Sequence, residues 1–169
     1  MRPLIVTAAL PADLFALADG LRRAHFPPER NKIAAHLTLF HALPPSCEGE
    51  ARRCLADLAA THPPPAAALT GVMSLGRGTA LAIESRALLA VRAAIADRFA
   101  GSLTAQDNHR PRLHVTVQNK VDPAEARALQ AELAARIPPR EFAIPALELH
   151  FYEGGPWSFA ARYAFRGRA

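Results

Sequence analysis

The sequence predicts an α+β fold of two lobes. Each lobe is expected to hold an antiparallel-rich sheet, the two related by a pseudo-two-fold axis around a central cleft, with helices outside. Two observations predict it. The first is a pair of matching stretches, HLTLF at 36–40 and HVTVQ at 114–118. Each is His, apolar, Thr, apolar, and side chains alternate faces along a strand. His36 and Thr38 therefore share one face and Leu37 and Leu39 the other. His114 and Thr116 stand in the same way against Val115 and Val117. The second is a repeat. Strand, helix, loop, His-x-Thr strand, helix, proline cluster and strand occur twice, at an offset of about 75–78 residues. A duplicated unit of this kind brings both His-x-Thr faces to equivalent places, where they meet across one cleft.

The elements follow in order. Leu4 to Leu10 reads as a buried strand. Pro11 and Asp13 open a helix whose inward face is Leu14, Leu17, Ala18 and Leu21, and Phe26-Pro27-Pro28 stops it. The first motif strand spans about 35–43. Pro44-Pro45 ends it, and a helix near 48–60 buries Ala51, Cys54, Leu55 and Leu58. Pro63-Pro64-Pro65 closes that helix. A strand over about 67–75 turns at Gly76-Arg77-Gly78 into a returning strand, Leu81 to Glu84. The third helix turns Leu88, Val91, Ile95 and Phe99 inward, and a polar loop over 104–112 leads to the second motif strand. Asp122-Pro123 with Glu125 starts the fourth helix, which buries Ala126, Leu129, Leu133 and Ile137. Two strands, about 142–152 and 157–165, finish the chain.

Length and composition set limits. The 169 residues suit one domain, 1–169, made of two lobes. Net charge is +5 and all basic residues but Lys32 and Lys120 are Arg. This balance favours anionic partners such as RNA or phosphate esters. Cys47 and Cys54 lie two helical turns apart, about 10 Å, too far for a disulfide. No Cys/His cluster has zinc spacing, and neither motif has a carboxylate cluster that would hold a catalytic metal. No apolar run spans a membrane. The opening residues read as a strand rather than a signal peptide, so a reducing cytoplasm and a monomer without an obligate protein partner are expected.

Chance placement gives well under one His-x-Thr triplet in a chain of this composition, so two in strand-like context carry weight. On these motifs and the duplicated layout, the chain resembles the two-histidine (2H) phosphoesterase superfamily, in particular the bacterial 2′-5′ RNA ligase type, also called RNA 2′,3′-cyclic phosphodiesterase. The resemblance implies that His36 and His114 are catalytic and that Thr38 and Thr116 bind phosphate. It implies RNA ends or small cyclic nucleotide phosphates as substrates, 2′-phosphate products and no cofactor. ADP-ribose 1″,2″-cyclic phosphate, 2′-5′ oligonucleotides or a non-catalytic RNA-binding role are the alternatives. Where many relatives carry an Arg after the second motif, this chain has Asn119-Lys120.

The chemistry also suits the residue types. Opening a cyclic phosphate needs one group to take a proton from water and another to give one to the leaving oxygen. Imidazole, with a pKa about 6.5, does either near neutrality. Hydroxyls beside it hold the non-bridging oxygens. Further candidates for substrate contact are Phe40, by alternation on the His36 face; Lys120; Arg77 at its turn; and Tyr152 and Trp157 flanking the last turn. His25, His41, His62, His109 and His150 have no partner pattern and read as structural or surface residues, with His41 on the face opposite His36.

Overall fold

The computed structural model describes all 169 residues. The elements in chain order are β1 (Leu4–Ala8), α1 (Ala12–His25), β2 (Leu37–Leu43), α2 (Glu48–Thr61), β3 (Ala66–Ser74), β4 (Thr79–Glu84), α3 (Arg86–Arg98), β5 (His114–Gln118), α4 (Pro123–Arg136), β6 (Arg140–Ala143), β7 (Ala146–Tyr152) and β8 (Trp157–Ala164). They form two four-stranded antiparallel sheets, ordered β2-β1-β7-β8 and β5-β4-β3-β6. Three positions correspond, as a duplication requires: β2 with β5, β1 with β4, and β7 with β3; the fourth strands, β8 and β6, come from different places in the chain. Each motif strand, β2 and β5, is the edge of its sheet.

The lobes are not the two sequence repeats. The strand that follows each post-motif helix crosses over: β3 joins the second sheet, and β7 returns to the first. The stretch expected as one strand over 142–152 is two. It divides at Ile144-Pro145, so β6 pairs with β3 and β7 pairs with β1. Pro145 has no N–H to continue a ladder, so the chain changes sheets there.

One apolar core runs through both lobes. Leu4, Val6 and Ala8 of β1 meet Leu14, Ala18 and Leu21 of α1, Leu55 of α2, Leu88 and Ile95 of α3, and Leu129 and Leu133 of α4. These are the helix faces that the 3.6-residue period marks. Helix α2 packs on β7 and β8, α4 on β3 and β4, and α1 against the second motif strand, β5. Ser85 caps α3 by accepting the Leu88 N–H at 3.0 Å. Asp122 occupies the cap of α4, with Pro123 in the first turn, but its side chain makes no cap bond. At Gly78, an added Cβ would lie 2.2 Å from the Gln118 carbonyl, so only glycine lets β4 start this close to β5. Both cysteines are free. No helix is long and apolar enough to cross a membrane.

Candidate active site

The free edges of β2 and β5 face each other across the lobes, which brings the two His-x-Thr faces together. His36, just before β2, sends its ring Nδ1 to the Ala34 carbonyl at 2.8 Å. His114, which opens β5, sends Nδ1 to the Arg112 carbonyl at 2.6 Å. In both, the acceptor is the carbonyl two residues back. A carbonyl can only accept, so Nδ1 carries the hydrogen in each ring and Nε2 is left for chemistry. Thr38 and Thr116 are half-buried on the same strands. Thr38 is paired in register with Thr7 of β1, whose hydroxyl lies 3.1 Å from His150 Nε2.

His36 stands against an aromatic ring, that of Trp157, with ring centroids 4.5 Å apart. Burial pushes the His36 ring down to about 4. The bond to Ala34 opposes this, while the charges of Arg22, His150 and His114 act with burial. In the free site, His36 is therefore the neutral imidazole at neutral pH. His150 also lies beside Trp157, with centroids 5.6 Å apart. Burial lowers its pKa, and Glu148 opposes the shift. His150 thus belongs to the cleft rather than to the surface. Its strand position shares a face with Thr7 and Glu148, but only the pairing of β1 with β7 reveals that.

Two buried arginines secure the motif strands. Arg22 of α1 is 4% exposed and Arg92 of α3 is 7% exposed. Arg22 donates to the Thr116 carbonyl at 3.0 Å and to Asn31 Oδ1 at 2.8 Å. Arg92 donates to the Leu39 carbonyl at 3.1 Å and to the Asp107 carbonyl. The Asp107 carboxylate accepts the backbone N–H groups of His41 at 2.8 Å and Ala42 at 2.9 Å, and also meets the His41 ring at 3.0 Å. Edge strands expose unpaired backbone groups, and these side chains satisfy them. None of the three stands out in the sequence, because each acts on a strand far away in the chain.

The remaining candidates divide. Phe40 is 0% exposed and lies under Arg92, 4.4 Å from its guanidinium, so it is core and not a substrate contact. A bulge is the reason. Thr38 pairs with Thr7 but Phe40 with Val6, so Leu39 is an extra residue and the alternation inverts beyond it. The same inversion places His41 away from the face expected for it, where it meets Asp107. Trp157 is in the cleft; Tyr152, its register partner, is 42% exposed at the outer end of β7. Arg77 and Lys120 share a separate hollow with Phe26 and Asp122, which no motif residue lines. Arg77 donates to the Val121 carbonyl at 3.1 Å, and Lys120 sits at φ 64° in the turn after β5. No trio of His, Cys, Asp or Glu is grouped as metal ligands would be.

The sequence profile of the 2′-5′ RNA ligase superfamily matches residues 10–156. No curated protein sequence matches the chain. Among solved structures, the chain is similar to TT0787 of Thermus thermophilus, with TM-score 0.68, 18% identity and 100% of each chain covered. It is similar to Escherichia coli LigT complexed with 3′-AMP, with TM-score 0.64, 20% identity and coverage of 97% of this chain and 98% of that one. A structure described as a phosphoesterase matches with TM-score 0.57 and 22% identity over 97% and 98%.

Proposed function

The chain belongs to the 2′-5′ RNA ligase superfamily, and we propose that it opens 2′,3′-cyclic phosphates, at RNA ends or in small cyclic nucleotides, to 2′-phosphates without a metal ion. The observation that carries this is the matched pair of histidines. Both rings give Nδ1–H to a carbonyl two residues back, and both keep Nε2 for proton transfer. One Nε2 takes the proton of the attacking water as its oxygen bonds to phosphorus. The bond from phosphorus to the ribose 3′ oxygen breaks, and the other imidazole protonates that oxygen. Thr38 and Thr116 donate to the non-bridging oxygens, where negative charge grows. Run forward with an RNA 5′-hydroxyl attacking in place of water, the same steps make a 2′-5′ linkage and free the 3′-hydroxyl. The protein works on this reading as a single-domain monomer in the cytoplasm.

The test is hydrolysis of 2′,3′-cyclic AMP and of a short RNA with a 2′,3′-cyclic end, both in EDTA. His36→Ala and His114→Ala are each expected to lose at least about a hundredfold in kcat while melting like the parent protein. Formation of a 3′-phosphate, or activity that EDTA abolishes, would refute the mechanism. Turnover of ADP-ribose 1″,2″-cyclic phosphate alone would keep the chemistry and change the substrate.

A further inference from the structure

The duplication leaves two matching flanks, and their charges differ. The first flank is built from β1, the start of α1 and the loop before β2. The second is a hollow of about 410 Å³ built from β4, the start of α3 and the loop before β5. Three positions correspond. Lys32 and Arg110 each stand four residues before a motif histidine. Ala34 and Arg112 each supply the carbonyl that holds a histidine Nδ1. Ala12 and Arg86 each open a helix. The second half thus carries arginine at two places where the first carries alanine.

The first flank holds Lys32, His150 and the joined pair Glu148 and Arg162, 2.9 Å apart. The second holds Arg86, Arg110, Arg112 and Glu84, all four exposed and none in an ion pair. Arg86 and Arg110, with Leu89 and Pro111, also form the ridge between this hollow and one of about 450 Å³ over α3. The other charged or titratable groups of that outer hollow are His109, Asp97, Arg92 and Asp107. Arg92 and Asp107 are engaged with β2. Asp97 stands eleven residues beyond Arg86 on α3, about 16 Å along the helix. The ridge is therefore a positive surface of unpaired guanidinium groups leading away from the second motif strand.

Exposed guanidinium groups without carboxylate partners suit phosphate oxygens, which they meet as a planar fork. A cyclic mononucleotide has one phosphate, and the two histidines take it. A ligand that also meets the ridge has further phosphates. We propose that Arg86, Arg110 and Arg112 carry the backbone phosphates of an RNA strand whose 2′,3′-cyclic end lies between His36 and His114. The assignment rests on the phosphate chemistry proposed above and makes RNA ends, rather than cyclic mononucleotides, the preferred substrate.

The probe is a labelled RNA of about ten nucleotides that ends in a 2′-phosphate, so its binding is read by fluorescence anisotropy without turnover. Adenosine 2′-monophosphate, as its competitor, gives the affinity of the end alone. The RNA is expected to bind about tenfold or more tightly than the mononucleotide at low salt, with a logarithmic affinity that falls as salt rises. Replacing Arg86 and Arg110 together by Gln is expected to flatten that slope by about 1.4, roughly 0.7 for each lost single-strand phosphate contact. Replacing both by Lys keeps the charge and is expected to restore most of the slope. The control pair is Arg53→Gln with Arg127→Gln, the same loss of charge at exposed positions on α2 and α4, which is expected to leave the slope as in the parent. Equal slopes in the two glutamine pairs, or an RNA that binds no more tightly than the mononucleotide, would overturn the proposal. Arginine-dependent RNA binding in a protein that hydrolyses no cyclic phosphate would uphold the surface and refute the proposed reaction instead.

Discussion

The guanidinium of Arg22, on a helix of one half of the chain, donates to the main-chain carbonyl of Thr116, on the motif strand of the other half, at 3.0 Å. Arg92 makes the reciprocal contact with Leu39 at 3.1 Å. Each buried cation ties the free edge of a motif strand to a helix from the opposite repeat. Two hydrogen bonds that cross the pseudo-symmetric halves thus join the one apolar core in holding the motif strands. Arg22 also places positive charge near His36, which helps to keep that ring neutral.

Replacing Arg22 separates these two roles. Arg22→Lys retains the charge but loses the planar fork that serves Asn31 and Thr116 together. It is expected to lower kcat by about tenfold with a smaller effect on KM, since orientation is lost rather than ground-state binding. Arg22→Gln removes the charge as well. Its acid limb in kcat/KM is expected to move to higher pH, toward the ordinary histidine value, with His150 and His114 still facing the ring. An unmoved limb would show that Arg22 acts on geometry alone.

The pH profile of the parent protein is a second test. The mechanism needs one neutral and one protonated imidazole. With His36 pushed down to about 4, the acid limb of kcat/KM is expected near pH 4 rather than near 6.5. The same shift affects stability, and its sign is set by the depressed folded-state pKa. Stability is full above the unfolded value of about 6.5 and falls as pH drops toward 4, because the unfolded chain binds the proton more readily. The loss is at most about 3 kcal/mol. Denaturation of His36→Asn between pH 4 and 7 should lack this component.

Asp107 is the third test. It is 1% exposed, and its carboxylate meets the N–H groups of His41 and Ala42 beside the bulge that shapes the first motif strand. Asp107→Ala strands both donors and is expected to destabilise the fold by about 2–4 kcal/mol, measured by urea unfolding. A change below about 0.5 kcal/mol would show that these donors find other partners.

Thr38→Ala and Thr116→Ala test the phosphate contacts. Each removes one hydroxyl from a half-buried strand position. Each is expected to lower kcat by about tenfold to a hundredfold with little change in melting temperature. Thr→Ser at the same positions should recover most of the activity, since the hydroxyl remains.

Much of this site is legible in the sequence because strands and helices write their faces locally. Alternation puts His36 with Thr38 and His114 with Thr116, and the 3.6-residue period picks the buried faces of all four helices. The repeat predicts matching lobes and a meeting of the two motifs. Phe40 shows where that logic stops. Alternation holds only while the ladder is regular, and one extra residue at the bulge turns Phe40 from the cleft into the core.

The two motifs, the helix faces and the duplication are patterns among near neighbours, and the order of amino acids is enough to dictate them. Other features arise only in the packed molecule. There β3 and β7 change lobes, Arg22 and Arg92 hold the opposite motif strands, and Trp157 and His150 gather around His36. The arginine and tryptophan contacts join residues separated by 53 to 121 positions. No periodicity along the chain encodes them. They exist because edge carbonyls and buried rings must find partners once the two sheets are packed on one core.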